Sequence, residues 1–343
     1  MRLAVNLSAQ DTVELAQEAE QLGYDAVFVP EGYAAEAVAV LGLLAGTTRR
    51  IGLASGILEI PARSPVMTAM TAATLDLLSA GRFRLGLGVA NQYVSTGWHG
   101  VPFARPLERT REYVEIVRRA LRREPVLYTG RHYQVKEPFQ VVMPPVARHI
   151  PIYLAALGPR NLRLAGEIAD GWFGVFRSPE DVTDSLREIR AGRAGASLSG
   201  FEVALSVPIV LGDDLAAASV PVRRHVARFA GLGDRPLNFY YALLRRAGHA
   251  DAADRIHERQ QAGDLAGAAA AVPTGFVDRI ALTGPPERIA ARIMMYRAAG
   301  VTTLALSPLA PSLGERIDAL AAAARALRSA VPAMPSPALG SVS

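Results

Sequence analysis

One repeated pattern constrains this chain more than any other feature. A short apolar, β-branched run is followed by a helix-length stretch carrying one apolar stripe, and then by a glycine before the next run. That order is what βα units feeding a parallel sheet require. The candidate strands run from Leu3 to Leu7, Ala26 to Pro30, Ile51 to Leu58, Phe83 to Val89, Ile152 to Leu157, Trp172 to Phe176, Glu202 to Leu211 and Thr302 to Leu306. Each is too short for a helix, whereas Leu15, Ala19 and Leu22, like Leu107, Val114, Val117 and Leu121, recur at helical spacing. Helix starts are expected at Asp11 with Glu14 as a capping box, and at Ser64-Pro65 and Ser178-Pro179, where a cap residue precedes a first-turn proline. Gly23 and Gly300 are expected to close helices in the left-handed conformation.

Eight strands joined by mainly parallel connections favour a closed (β/α)8 barrel of the TIM-barrel class over an open sheet. We expect one domain over residues 1–328, a length that such barrels commonly reach. Two stretches interrupt the repeat. Residues 124–149, after the fourth strand and its helix, contain Tyr128-Thr129-Gly130-Arg131-His132-Tyr133, which reads as a hairpin turning at Gly130. Residues 213–284, after the seventh strand, are alanine-rich and helical in pattern; an insertion there overlies the C-terminal face, as a lid or a subunit contact. Residues 329–343, rich in Pro, Ser, Gly and Ala, read as a flexible tail.

Composition removes several classes of function. With no cysteine, the chain has no disulfide, no thiolate metal site and no thiol nucleophile. No apolar stretch approaches the roughly 18 to 20 residues that span a bilayer, and the first residues lack the pattern of a secretory leader, so we expect a cytoplasmic protein with no membrane partner. The net charge of +5 could suggest a nucleic-acid partner, but the arginines are spread along the chain and no nucleic-acid module accompanies them. The histidines show no ligand spacing with one another, and the first strand reads Ala4-Val5-Asn6-Leu7, with no His-x-His pair. We therefore expect no metal and no metal-assisted hydrolysis.

Chemistry in such a barrel gathers at the C-terminal ends of the strands, and four strings there stand out. The third strand continues as Ala54-Ser55-Gly56-Ile57-Leu58-Glu59-Ile60-Pro61-Ala62-Arg63-Ser64-Pro65. The fifth runs Tyr153-Leu154-Ala155-Ala156-Leu157-Gly158-Pro159-Arg160-Asn161, a strand, glycine and helix start that would let a phosphate meet free amides and the positive end of a helix. After the fourth comes Gly86-Leu87-Gly88-Val89-Ala90-Asn91-Gln92-Tyr93, which fails as a dinucleotide fingerprint because Asn91 stands where the last glycine belongs, and then Gly97-Trp98-His99-Gly100-Val101-Pro102. The second ends Val29-Pro30-Glu31-Gly32-Tyr33, where Glu31 is either an acid–base group or the holder of a neighbouring arginine. His99 is either a catalytic histidine or a solvated, hydrogen-bonded structural one.

These strings resemble the bacterial-luciferase-like family, and the Pro-Glu-Gly-Tyr and Gly-Trp-His-Gly-Val-Pro strings resemble its branch that uses the deazaflavin coenzyme F420. The resemblance implies a hydride-transferring oxidoreductase acting on a small organic substrate. It places a non-proline cis peptide at Gly56–Ile57 behind the cofactor ring, with Ser55, Arg63, Ala90 and Asn91 near the cofactor. Its phosphate-linked tail would lie at Leu157, Gly158, Pro159, Arg160 and Asn161, with Arg160 or Arg63 balancing the charge. Glu31 and His99 are then the candidate acids, with Tyr33, Tyr93 or water as the other proton sources. The loop Ala90 to Tyr93 and Thr96 depart from that branch's usual residues, so the resemblance does not carry a substrate over. A flavin monooxygenase using reduced FMN, or a binding protein without catalysis, is the alternative. The resemblance also implies a homodimer paired through barrel helices.

Overall fold

The structure is a computed structural model describing residues 1–7, 10–32 and 35–329. Of the expected tail, residues 329–343, Ser329 ends a helix instead and the residues from 330 onward lie outside the described residues, as does Tyr33.

Eight parallel strands close on themselves: β1 (Arg2–Asn6), β2 (Ala26–Val29), β3 (Gly52–Ser55), β4 (Phe83–Gly88), β5 (Ile152–Ala155), β6 (Gly171–Val175), β7 (Glu202–Leu211) and β8 (Thr303–Pro308). Each pairs with its neighbours in sequence order, and β8 returns to β1 with Arg2 opposite Thr303. Around them lie α1 (Thr12–Gln21), α2 (Ala37–Thr47), α3 (Pro65–Leu78), α4 (Pro106–Leu121), α5 (Pro159–Ile168), α6 (Pro179–Gly192), α7 (Pro286–Ala298) and α8 (Leu313–Ser329). This is the TIM-barrel architecture expected from the repeat.

The period of two along each strand divides the apolar residues between two cores. Leu3 and Val5 of β1 face the helices and join the large outer core with Val27, Leu53, Leu85, Ile152 and Leu304. Ala4 faces the barrel interior with Ala26, Ala54, Ala204 and Ala305, where the small side chains leave room for Phe28, Tyr153 and Phe173. Phe28 and Phe173 stack with ring centroids 4.8 Å apart and plug the barrel below its mouth.

Punctuation accounts for most helix boundaries. Ser64 caps α3 by accepting from Met67 N, and Ser178 forms a reciprocal capping box with Asp181. Gly23 and Gly300 stop their helices at φ of 83° and 98°. Asp11 departs from expectation. Its own φ is 51°, its side chain makes no capping hydrogen bond, and its carboxylate pairs with Arg316 of α8 instead. The long-range partner supplies a charge-assisted bond that a local cap would forgo.

The hairpin after α4 pairs Val126–Thr129 with Gln134–Phe139, and Gly130 N–H donates to the carbonyl of Tyr133. Residues 213–284 contain five α-helices, Leu215–Ala230, Phe239–Arg246, Ala250–Gln261, Leu265–Ala270 and Thr274–Ile280, and a short strand, Leu282–Gly284, that returns to β7. Their apolar faces form a separate cluster that takes in Phe176, Val210 and Leu157 from the C-terminal ends of the barrel strands. The insertion is therefore seated on the mouth.

Candidate active site

The third strand does not run unbroken to Leu58. Pairing with β2 ends at Ser55, the Gly56–Ile57 peptide is cis, and pairing resumes on the other side with Leu58 opposite Leu87 and Glu59 opposite Gly88. Two glycines of β4 make this close approach feasible. A Cβ on Gly86 would lie 2.1 Å from the carbonyl oxygen of Ser55, and one on Gly88 would lie 2.7 Å from Cδ1 of Ile57. Ser55 is fully buried, and its hydroxyl both donates to Gly86 O and accepts from Gly86 N–H, so it stitches β3 to β4. On the inner side, Gly56 faces Phe28 and Oδ1 of Asn6. That oxygen is buried without a hydrogen-bond partner, while the Asn6 amide nitrogen donates to Ser206 and Ser307.

Beyond the bulge the chain enters a charged network. Glu31, at the end of β2, accepts from Glu59 N–H at 2.8 Å and takes two parallel bonds from Arg63 at 2.7 and 2.8 Å. Arg63 also reaches Glu36, the residue that caps α2. The Glu31 and Arg63 side chains are only 9% and 15% exposed. Of the two readings of Glu31, the holder of an arginine is what the geometry displays, and the Arg63 side chain is committed to two carboxylates at the same time.

The neighbouring carboxylate, Glu59, was not singled out by sequence reasoning. It is hydrogen-bonded to Nε2 of His99 at 2.9 Å, with both side chains largely buried. Burial pushes the Glu59 carboxyl above the usual carboxylate range and the charge of Glu31 adds to the rise, while the His99 hydrogen bond and Arg63 work against it. His99 is placed by a wide helical turn, Tyr93–Trp98, in which His99 N–H donates to the carbonyl of Val94 five residues back. Asn91 Oδ1 accepts from Val94 N–H and holds the start of that turn, and Ala90 precedes it at φ 56°.

On the opposite side of the mouth, Leu157 and Gly158 lead from β5 into α5. Gly158 is the cap residue, and a Cβ there would meet open space. Asn161 turns its amide back onto the carbonyl of Ala155, and Pro159 and Arg160 are exposed. A further cation stands beside them. Arg177, two residues past the end of β6, donates to the carbonyl of Leu157, and its Nε is buried with no partner. Burial holds this guanidinium below the usual arginine range, Asp181 opposing and the like charge of Arg246 reinforcing the shift. Its position at a strand end was the signal by which the sequence could have disclosed it.

The structure thus brings Asn6, Glu31, Gly56, Ile57, Glu59, Arg63 and His99 to one side of the mouth, and Gly158 and Arg177 to another. No helix among the described residues is long and apolar enough to cross a membrane.

Known proteins share this fold and much of this sequence. A coenzyme F420 dependent tetrahydromethanopterin reductase from Methanopyrus kandleri superposes with a TM-score of 0.83 at 26% identity, covering 94% of this chain and 97% of that one. A Mycobacterium tuberculosis protein named as a coenzyme F420-dependent oxidoreductase is 34% identical over 87% of this chain and 90% of its own length. The 5,10-methylenetetrahydromethanopterin reductase of Archaeoglobus fulgidus is 31% identical over 88% and 90%. The profile of the luciferase-like monooxygenases matches residues 2–303, and the chain, a closed barrel of that fold, belongs to that family as one of its oxidoreductases.

Proposed function

We propose that this protein binds the deazaflavin coenzyme F420 and uses it to transfer hydride to or from a small organic substrate. The observation that carries the reading is Arg177, a half-buried side chain whose Nε is buried and unpaired and whose guanidinium holds the carbonyl of Leu157, just before the Gly158 cap of α5. A cation left so poorly compensated fits a phosphate-bearing, acidic tail, which would also find the free amides of the first turn of α5. The unpartnered Asn6 Oδ1 next to Gly56 supports the ring end of the same reading, since it offers an acceptor to an N–H edge. The relatives whose names carry coenzyme F420 point the same way.

When bound, the deazaflavin supplies the two electrons and the hydride. The chain's own residues position the reactants and manage one proton. Glu59 fixes the imidazole of His99 through Nε2, so that Nδ1 is the end left to face a substrate heteroatom. The ion pair of Glu31 and Arg63 sets the charge next to that couple without itself giving up a proton. Proton transfer by a positioned group contributes about 10² to 10⁴ in rate.

The test is direct titration of the apoprotein with F420 and with FMN. F420 should bind at least tenfold more tightly, a difference of about 1.4 kcal/mol. Arg177→Met should weaken F420 by about 10-fold or more, the scale of a charge-assisted contact, whereas Arg160→Ala at the exposed neighbour should change it little. Tighter FMN binding, with oxygen uptake when reduced FMN is supplied, would overturn the deazaflavin reading in favour of a monooxygenase. We further propose that the protein works as a homodimer paired through α3.

A further inference from the structure

At the tip of the hairpin after α4, His132 is nearly enclosed, with its side chain 8% exposed, and its Nε2 is buried without a hydrogen-bond partner. A buried ring nitrogen left unpaired is costly. Its nearest acidic neighbour is Oε2 of Glu108, at 3.7 Å, too far for a hydrogen bond. Glu112 follows Glu108 by one turn on the same face of α4. One donor atom from each of Glu108, Glu112 and His132 can be chosen so that all three lie within 4.8 Å of one another.

Glu112 is already oriented. Its Oε1 accepts from Arg131 N–H at 2.8 Å, and its Oε2 from the N–H groups of His132 and Tyr133 at 2.9 and 3.0 Å. Such outer bonds fix a ligating carboxylate, and Oε1, with a single hydrogen bond, keeps a lone pair to offer. Arg105 and Arg131 approach Glu108 at 3.5 and 3.8 Å, but both are more than half exposed and free to swing into water when a cation enters.

We propose that Glu108, Glu112 and His132 form a site for a divalent transition metal, zinc above all, that clips the hairpin to α4. An imidazole with two carboxylates is a zinc-type donor set, and two negative charges neutralise the dication. Bonds of about 2.1 Å in a tetrahedron place ligand atoms roughly 3.4 Å apart. The His132 to Glu108 separation needs only a small closure to reach that, and water completes the shell. Magnesium and calcium, which favour shells of oxygen alone, suit the site less. No spacing in the sequence announces it, because α4 and the hairpin contribute donors that only the fold brings together.

The experiment uses the untagged full-length protein, stripped with a chelator and titrated with zinc chloride by calorimetry, with magnesium chloride for comparison. Cobalt chloride, followed by visible absorption, reports the ligand field. The expected result is one zinc per chain with a dissociation constant of about 10 µM or tighter. His132→Ala and Glu108→Gln should each weaken it at least tenfold and remove the cobalt bands. Magnesium should bind more weakly than zinc in the unaltered protein. Failure to take up zinc below about 100 µM, or uptake unchanged in the variants, overturns the site. Glu108 is 40% exposed, so its variant should fold and decides the matter alone if His132→Ala does not fold.

Discussion

Two glutamates at the barrel mouth, 28 positions apart in sequence and joined by a hydrogen bond from Glu59 N–H to Glu31, have opposite environments. Glu31 faces a guanidinium that takes both of its oxygens, whereas Glu59 faces an imidazole and is raised by burial. Their variants should therefore fail differently. Glu31→Gln should leave the half-exposed Glu36 as the remaining carboxylate on Arg63 and cost about 3 kcal/mol of stability, read as a lower melting temperature. Glu59→Gln should fold well but slow the hydride step. It should also remove from the pH–rate profile the acid limb that Glu59 contributes above the usual carboxylate range, where burial has raised it. His99→Asn should cost about 10² to 10⁴ in turnover with F420 affinity little changed. A pH profile identical in Glu59→Gln and wild type would remove Glu59 from the mechanism. The sequence made His99 and Glu31 legible because they follow strand ends, but the roles of Glu31 and Glu59 depend on where Arg63 folds. That is a tertiary fact: Arg63 lies 32 positions from Glu31, beyond any local pattern.

Among the elements, those with strict periodicity were legible and those shaped by close contact were not. The eight strands and their helices follow from alternation and glycine punctuation. The break of the third strand at Ser55 depends instead on two glycines in its neighbour; no periodicity in Ile51 to Leu58 announces it, and it was the family resemblance that placed the cis peptide at Gly56–Ile57, where it is found. The insertion after β7 was legible as helical but not as to what it covers. In it His225, on the helix Leu215–Ala230, packs edge-on against Phe176 and Phe229. Burial lowers its pKa to about 4 from the ordinary 6.5, with the like charge of Arg228 adding to the effect. The sign follows from proton counting: between these values the unfolded chain binds the proton and the folded one does not, so stability is lost as pH falls from about 6.5 toward 4. The contribution at neutral pH is at most about 3 kcal/mol. His225→Phe should lack that loss, so the stability difference between variant and wild type should change by up to that amount as pH falls across the window, measured by calorimetry. Parallel curves for the variant and wild type would show that the aromatic cluster tolerates a charged imidazole.

At the scale of the whole molecule, the surface is not uniformly polar. On α3, Met67, Met70, Leu77 and Leu78 are 52%, 48%, 46% and 56% exposed, and at 100° per residue they fall on one face of the helix. The opposite face of the same helix is buried, through Ala69, Ala72 and Leu75, against the barrel. Leu43, on the neighbouring α2, is 54% exposed as well. An apolar stripe of this kind, interrupted by Thr74, on a helix already satisfied on its inner side fits a surface that a partner covers. A second copy can cover it with the same stripe, since a two-fold contact needs only a self-complementary patch, and two α3 helices packed against each other provide one. The protein should therefore elute and scatter light at twice its 36.5 kDa chain mass at micromolar concentration. Met70→Glu with Leu77→Glu places like charges opposite each other across the axis and should yield monomers. Because α3 starts at Ser64-Pro65, immediately after Arg63, the proposed interface and the Glu31–Arg63 pair share one element. If the dimer steadies that element, the monomeric variant should lose turnover more than F420 affinity. A wild-type chain that stays monomeric at tens of micromolar would refute the pairing, and a dimer that survives both charges would place it on another face.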